Sequence, residues 1–178
     1  LGELLTDLPL EPDEKAGFHC GSCRACLDIC PTNAFTGPHV LDARKCISYL
    51  TIELRTSIPE HLRPLMGNRI FGCDDCQIIC PWNKFAEFSR EDDFTPRHDL
   101  DRAQLLDLFA WTEQEFLDRT EGSTIRRIGY ECWLRNIAVA LGNAATGAPV
   151  IAALQARATH PSELVREHVQ WALQRHGV

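Results

Sequence analysis

The amino-acid sequence predicts a mainly α-helical protein with a small α+β part in its N-terminal half. Two cysteine-rich runs lie between residues 19 and 85, where prolines and glycines indicate short loops and a short strand. From residue 100 onward, apolar residues recur at three- and four-residue spacing, which is typical of amphipathic helices. We therefore expect a metal-binding module followed by a helical region.

The composition indicates a globular protein with an unusual number of cysteines. Of 178 residues, 44% are hydrophobic and 24% are charged, and the net charge is −7 at pH 7. The nine cysteines are an odd number without a secretory signal, which favours metal binding over disulfides. The acidic balance disfavours nucleic-acid binding unless a local basic face overrides it. No apolar run approaches the about 18 residues of a membrane span.

The distribution of prolines, glycines and charges divides the chain into four segments. Residues 1–18 are expected to connect to a domain that this chain does not contain, because the sequence begins with Leu1 rather than Met. The cysteine module is predicted to span 19–85, a polar linker 86–99, and the helical region 100–178.

The first cysteine run has a spacing typical of iron–sulfur proteins. Cys20, Cys23, Cys26 and Cys30 follow the pattern C-x-x-C-x-x-C-x-x-x-C-P, which ends at Pro31. In bacterial ferredoxins such a run holds one [4Fe–4S] cluster with three thiolates, and its fourth thiolate ligates a second cluster. The sequence therefore predicts a ferredoxin-like module with two [4Fe–4S] clusters.

The second run supplies only three cysteines. Cys73, Cys76 and Cys80 precede Pro81, but Ile70 occupies the position where a full run would have another cysteine. By the crossover rule, the expected ligands of cluster 1 are Cys20, Cys23, Cys26 and Cys80. Cluster 2 then has Cys30, Cys73 and Cys76 and needs a fourth ligand.

Two cysteines remain for that position. Cys46 is favoured because it lies between the runs at a predicted helix start, where the helix dipole favours a thiolate. Cys132, beside Trp133, is expected to be a core residue. Zinc is the alternative metal, but three closely spaced C-x-x-C units crowd a tetrahedral site, and eight thiolates fit two clusters of four.

Helix signals define the rest of the chain. In the first half of the chain, helices are predicted for residues 42–56 and 59–67. A third helix is predicted to begin at Thr112, where Thr112 and Glu115 form a capping box. Three more are predicted from Ser123 to Leu141, from Pro149 onward, and from Pro161 to Gly177. Residues 134–141 are similar to 165–173 at an offset of about 31–32 residues, which favours a small array of helical repeats.

Four stretches of the sequence resemble the epoxyqueuosine reductase family. They are the first cysteine run, residues 46–53 (CISYLTIE), residues 72–83 (GCDDCQIICPWN), and the helical stretch within 125–143. The lead-in at residues 1–10 is also similar, so the resemblance covers nearly the whole chain. It implies a cobalamin-dependent iron–sulfur enzyme that reduces epoxyqueuosine to queuosine at the wobble position of tRNA.

The resemblance also implies which parts of the enzyme this chain contains. The chain would be the C-terminal portion of such an enzyme, with Cys46 completing cluster 2 and HEAT-like helical repeats following the ferredoxin-like module. The family's N-terminal half holds most of the cobalamin pocket, so we expect no complete catalyst and no catalytic residue in this fragment. The alternatives are a corrinoid enzyme like the reductive dehalogenases, and a non-enzymatic ferredoxin-type electron carrier with a protein-binding helical tail.

Further residues are candidates for cofactor and tRNA contacts. Ser48, Asp74 and Asp75 lie beside cluster 2 ligands and are predicted to contact cobalamin. Trp82 is expected to shield a cluster from water, with stacking on a base or cofactor as the alternative. The predicted tRNA-binding residues are Arg55, Arg126, Arg127 and Arg135, since arginine suits phosphate recognition. We expect a cytoplasmic monomer that binds the anticodon region of tRNA and an external electron donor, with no membrane contact.

The ligand assignment predicts different outcomes for the two cysteines outside the runs. Anaerobically reconstituted protein should contain about eight irons per chain, because two clusters of four irons are expected. Replacing Cys46 with Ala should remove or degrade one cluster, whereas Cys132→Ala should retain both. Iron and acid-labile sulfide analysis measures this directly, and the reverse outcome would disprove the assignment.

Overall fold

The computed structural model of the protein describes residues 3–17 and 19–178, and it confirms a mostly helical chain with one small sheet. The predicted connector is extended and exposed over residues 3–17. Leu1, Gly2 and Phe18 lie outside the described residues. Within the described ranges, no helix is both long and apolar enough to span a bilayer.

The cysteine module contains little regular structure. Two one-turn helices, α1 (Ala25–Asp28) and α2 (Asp75–Ile78), lie inside the two cysteine runs and pack against each other. Strands β1 (Phe35–Gly37) and β2 (Val40–Leu41) pair antiparallel after the first run. Apart from this sheet, the chain between the runs consists of short 3₁₀ and π-helical segments and loops, so its course depends on side-chain contacts.

Five helices form the C-terminal region. They are α3 (Leu105–Ala110), α4 (Glu113–Arg119), α5 (Tyr130–Gly142), α6 (Ala148–Gln155) and α7 (Glu163–Arg175). The predicted start at Thr112 is confirmed: its side chain accepts from the N–H of Glu115, whose carboxylate accepts in return from the N–H of Thr112.

Two predicted helices differ from the structure. Residues 42–56 form a 3₁₀ turn, Ala43–Lys45, and then a single π-helical turn, Tyr49–Glu53, because the main chain bends around partners elsewhere in the fold. The predicted helix from Ser123 to Leu141 is interrupted at Gly129, whose φ of 77° is left-handed. Ser123 instead caps a 3₁₀ turn, Thr124–Ile128, and α5 begins after the glycine.

Helix α5 is the centre of a single hydrophobic core. It packs against α3 and α7 and against the 3₁₀ helix Glu60–Met66. The core also includes Ile47, Leu50 and Ile58 from the chain between the two cysteine runs. The middle of the cysteine module and the helical region therefore share one core, although the domain boundaries at 85 and 100 stay predictions.

Helices α5 and α7 approach each other closely at Gly142. A Cβ atom at this position would lie 2.6 Å from the Trp171 ring and 3.0 Å from Ala172. The end of α5 can therefore contact α7 this closely only because residue 142 has no side chain.

Gly142→Ala should lower the free energy of unfolding by about 1–3 kcal/mol, because the added methyl group overpacks the α5–α7 contact. Chemical denaturation at constant cluster loading measures the change. Gly17→Ala is the matched control, since its Cβ would meet only the end of the His19 ring at 4.0 Å. Equal stability of the two variants would contradict a tight contact at Gly142.

A buried histidine joins α7 to the segment after the π-helical turn. His168 accepts a hydrogen bond at Nε2 from the N–H of Ile58 at 3.2 Å, and its Nδ1 lies 2.8 Å from the carbonyl of Leu164. These partners require the neutral ring with the proton on Nδ1. Burial, together with the nearby charge of Arg63, lowers the pKa of His168 to about 4, while Glu167 opposes this in part.

This histidine predicts a loss of stability at acidic pH. The unfolded state takes up a proton near the ordinary pKa of about 6.5, whereas the folded state does so only near 4, so stability falls as the pH decreases from 6.5 to 4. The full effect is about 3 kcal/mol. Urea unfolding of the protein and of His168→Gln at several pH values should show the dependence weakened in the variant. Identical pH profiles would rule it out.

Candidate iron–sulfur site

Four of the cysteines surround a cavity at the surface. Its volume is about 330 Å³, and the thiols of Cys20, Cys23, Cys26 and Cys80 line it together with His19, Trp82, Lys84 and Phe85. Cys20 and Cys23 are exposed, and Cys80 reaches the cavity from the second run. These four cysteines are the set predicted for cluster 1.

Four other cysteines surround a smaller cavity beside the core. Its volume is about 60 Å³, and its wall contains Cys30, Cys46, Cys73 and Cys76 with Thr32, Ala34, Ile47 and Asp75. Ile47 is also a core residue, so this cavity borders the hydrophobic interior. These cysteines are the set predicted for cluster 2, including Cys46.

The pairing of α1 with α2 explains why the last cysteine of each run lies with the other set. Each run forms a single helical turn between its cysteines, and Cys30 and Cys80 follow these turns. Because the turns pack against each other, the chain leaving each one passes beside the opposite loop. The structure thus gathers eight cysteines into two groups of four.

The surroundings of the second cavity shift the pKa values of three of its cysteine thiols in different directions. Burial would raise the pKa of Cys30, but hydrogen bonds from the N–H of Ala34, at 3.3 Å, and from Thr32 lower it overall. Burial raises the pKa of Cys73 and of Cys76, and the charges of neighbouring thiolates add to this at both. The charge of Asp75 raises the pKa of Cys73 further. A positively charged group such as iron would offset this and favour the thiolate forms of Cys73 and Cys76.

The donor set is of the kind that binds iron–sulfur clusters. All nine cysteines are free thiols. Within residues 3–17 and 19–178, no three Cys, His, Asp or Glu side chains are close enough to hold one metal ion. Four soft thiolates spaced around a larger volume suit a polynuclear iron–sulfur group. Cys132 is buried and lines neither of these two cavities, in line with its expected place in the core.

The three side chains predicted to contact cobalamin differ in how far they are already bound by other protein groups. The hydroxyl of Ser48 accepts from the N–H of Cys73 at 3.0 Å and lies 3.3 Å from its carbonyl, so protein partners already use it. Asp75 forms an ion pair with Arg69. Asp74 is exposed and accepts a hydrogen bond from Gln77 at 3.0 Å.

Three of the four predicted tRNA-binding arginines are exposed. Arg55 donates to the carbonyls of Ile128 and Arg127, and Arg127 pairs with Glu53. The side chain of Arg126 is exposed and has no hydrogen bond or ion pair with any residue the structure describes. These three arginines lie at or beside the 3₁₀ turn that precedes α5.

Arg135 does not fit the predicted tRNA contact. It is completely buried, and its guanidinium donates to the carbonyls of Leu50, Leu54 and Thr56, each at 2.8 Å, and to Asn136. It cannot reach a phosphate from this position. Its role is to bind the main chain around the π-helical turn to α5.

Two residues at the site were not identified from the sequence. Thr51 donates to the carbonyl of Ile47 and accepts from the N–H of Gly72, while Asn136 donates to the carbonyls of Thr51 and Ile70. The signal that could have found Asn136 is its position, with Arg135, inside the otherwise apolar run of α5.

Trp82 lies at the rim of the first cavity. It is half-exposed, and its ring contacts those of His19 and Phe85 at centroid distances of 6.2 Å and 5.5 Å. This position is compatible with shielding one side of the cavity.

Comparison with known proteins supports the same kind of site. Residues 19–83 match the family described as a 4Fe-4S double cluster binding domain. The chain is 65% identical to the epoxyqueuosine reductase of Pseudomonas aeruginosa, covering 99% of this chain and 49% of that protein. It is 62% identical to that of Xanthomonas campestris, covering 100% of this chain and 50% of that protein.

A solved structure agrees with these relatives. The fold matches a crystal structure of epoxyqueuosine reductase with an epoxyqueuosine-modified tRNA-Tyr stem loop, with a TM-score of 0.87 and 33% identity. The match covers 96% of this chain and 45% of that one. The chain spans about half the length of the relatives that it matches. The chain is therefore a relative of the epoxyqueuosine reductases over about half of their length.

Proposed function

We propose that this chain is the C-terminal portion of an epoxyqueuosine reductase and delivers electrons for the reduction of epoxyqueuosine to queuosine in tRNA. The observation that carries the proposal is the division of eight cysteines between two cavities, in a chain 65% identical to a protein of that name. The relatives reported above favour this function over a corrinoid dehalogenase or a ferredoxin-type carrier.

The two cavities would each hold one [4Fe–4S] cluster. Cluster 1 would be bound by Cys20, Cys23, Cys26 and Cys80, and cluster 2 by Cys30, Cys46, Cys73 and Cys76. When bound, such clusters transfer single electrons at low potential. The overall reaction takes two electrons and two protons, converts the epoxide to an alkene and releases its oxygen as water. The protein's part is to hold the clusters close together and to set their surroundings.

Cobalamin would be held mainly by residues outside this chain. Asp74 is the most accessible of the three candidate contacts, since Ser48 and Asp75 already have protein partners. In support of HEAT-like repeats, the two similar helical stretches lie in α5 and α7, which pack against each other. We further propose a cytoplasmic monomer that receives electrons from an external donor.

The tRNA would contact the turn before α5. The exposed side chain of Arg126 has no partner among the residues that the structure describes, and Arg55 and Arg127 lie beside it. The backbone contacts of Arg55 and the Glu53 pair of Arg127 fix these two side chains, so Arg126 has the most freedom to bind a phosphate. Phosphate contacts of this kind position the RNA and make binding dependent on salt.

The activity is tested with the natural-length protein, meaning this chain together with the other half that its relatives contain. It is reconstituted with iron, sulfide and cobalamin. Supplied with reduced electron donor and tRNA containing epoxyqueuosine, it should form queuosine, which mass spectrometry of the digested tRNA detects. Formation of no queuosine by protein that contains both clusters and cobalamin would refute the proposed function.

Arg126→Ala should weaken tRNA binding and make it less sensitive to salt, because one phosphate contact is lost. The slope of log affinity against log salt concentration should become shallower by about one unit. Arg175→Ala is the control: this exposed arginine is in the last turn of α7, near the opposite end of α5. If the two variants bind tRNA equally well, the proposed contact is wrong.

A further inference from the structure

Two hydroxyl groups tie the loop of Cys46 to the loop of Cys73. The hydroxyl of Ser48 accepts from the N–H of Cys73 at 3.0 Å, and that of Thr51 accepts from the N–H of Gly72 at 2.9 Å. Two consecutive backbone N–H groups of the second loop are thus bound by side chains of the first. We refer to Ser48 and Thr51 as the hydroxyl clasp.

The clasp has a fixed orientation because both hydroxyls also donate. Thr51 donates to the carbonyl of Ile47 at 2.7 Å, and Ser48 lies 3.3 Å from the carbonyl of Cys73. Thr51 is fully buried, and losing its hydroxyl would deprive the partly buried N–H of Gly72 of this partner. The contact therefore opposes separation of the two loops.

Helix α5 also binds the main chain of both loops. Asn136 donates from its amide to the carbonyl of Thr51 and to that of Ile70, each at 2.9 Å. The clasp and Asn136 together connect the chain on the C-terminal side of Cys46 to the chain just before Cys73. Two of the four cysteines around the second cavity are set relative to each other by these contacts.

We infer that Ser48 and Thr51 are positioning residues that fix the separation of Cys46 and Cys73 and so determine how firmly cluster 2 is held. This inference rests on the proposed function, since it assumes a cluster in the second cavity. Ser48 therefore acts through Cys73 and not through contact with a corrin. The first cavity has no counterpart among the contacts described above, so the effect should be confined to one cluster.

The test compares Ser48→Ala, Thr51→Val and the double variant in the natural-length protein after anaerobic reconstitution. The rate at which a chelator removes iron should rise about 10-fold or more for half of the iron, because residues that orient metal ligands typically change metal affinity by that factor. The electron paramagnetic resonance spectrum left after this phase should match that of Cys46→Ala, which identifies the labile cluster as cluster 2.

Two further variants separate positioning from general loss of stability. Thr120→Val removes another fully buried threonine hydroxyl, which donates to the carbonyl of Phe116 in α4, and it should leave both iron-release phases unchanged. Thr51→Ser retains the hydroxyl and should restore slow release. If Thr51→Val fails to fold, the comparison of Ser48→Ala with Thr51→Ser still decides, because Ser48 is only partly buried.

The outcomes distinguish this inference from the function on which it rests. Suppose the wild-type protein binds two clusters, and the clasp variants have the same iron-release rates and the same electron paramagnetic resonance spectra as the wild type. This result would overturn the inference but not the proposed function. Equal acceleration by Thr120→Val would also overturn the inference. Wild-type protein that binds no iron–sulfur cluster would overturn the proposed function and the inference together.

Discussion

The structure depends on how α5 binds the irregular main chain between the two cysteine runs. A π-helical turn and the extended segments beside it leave carbonyl groups without partners in their own segment, and burying them unpaired would be costly. Arg135 satisfies three of these carbonyls, and Asn136 satisfies a fourth, that of Thr51, together with the carbonyl of Ile70 before the second run. The planar guanidinium has five N–H donors in a fixed fork, which suits it to bind several oxygens at once.

This arrangement makes the helical region part of the metal site's architecture. The segment that carries Cys46 has no regular sheet or long helix of its own, and its apolar residues Ile47 and Leu50 are buried in the core around α5. The geometry of the second cavity is therefore set by residues that lie far away in sequence, at separations of 66 to 85 residues for the polar contacts.

Those separations explain what could be predicted from the sequence. Cysteine spacing is local and carries the geometry of a ligand loop, so it predicted seven members of two groups of four cysteines. Cys46 was assigned from its position between the runs and from the family resemblance. The same groups surround the two cavities; iron ligation by them stays a prediction. The cap at Thr112 is equally local and was confirmed. The π-helical turn was mistaken for an α-helix because both place apolar residues at similar spacing.

Arg135 was misassigned for a related reason. An arginine is normally solvated, and only partners distant in sequence reveal that this one is buried. The interruption at Gly129 also follows from the fold, since the turn places the carbonyls of Arg127 and Ile128 where Arg55 can reach them. Propensity alone does not distinguish such a glycine from one tolerated within a helix.

The first cavity affects the stability of the protein in another way, through the length of chain that its cysteines enclose. Its cysteines come from positions 20–26 and from position 80, and two of them are exposed rather than packed in the core. A group bound by all four thiols would therefore act as a covalent cross-link that closes the long loop between them. Restricting the unfolded chain in this way is worth about 4 kcal/mol for a disulfide closing a loop of similar length. Oxidative loss of that group would thus lower the free energy of unfolding of the core around α5, because the enclosed chain contributes Ile47, Leu50 and Ile58 to that core.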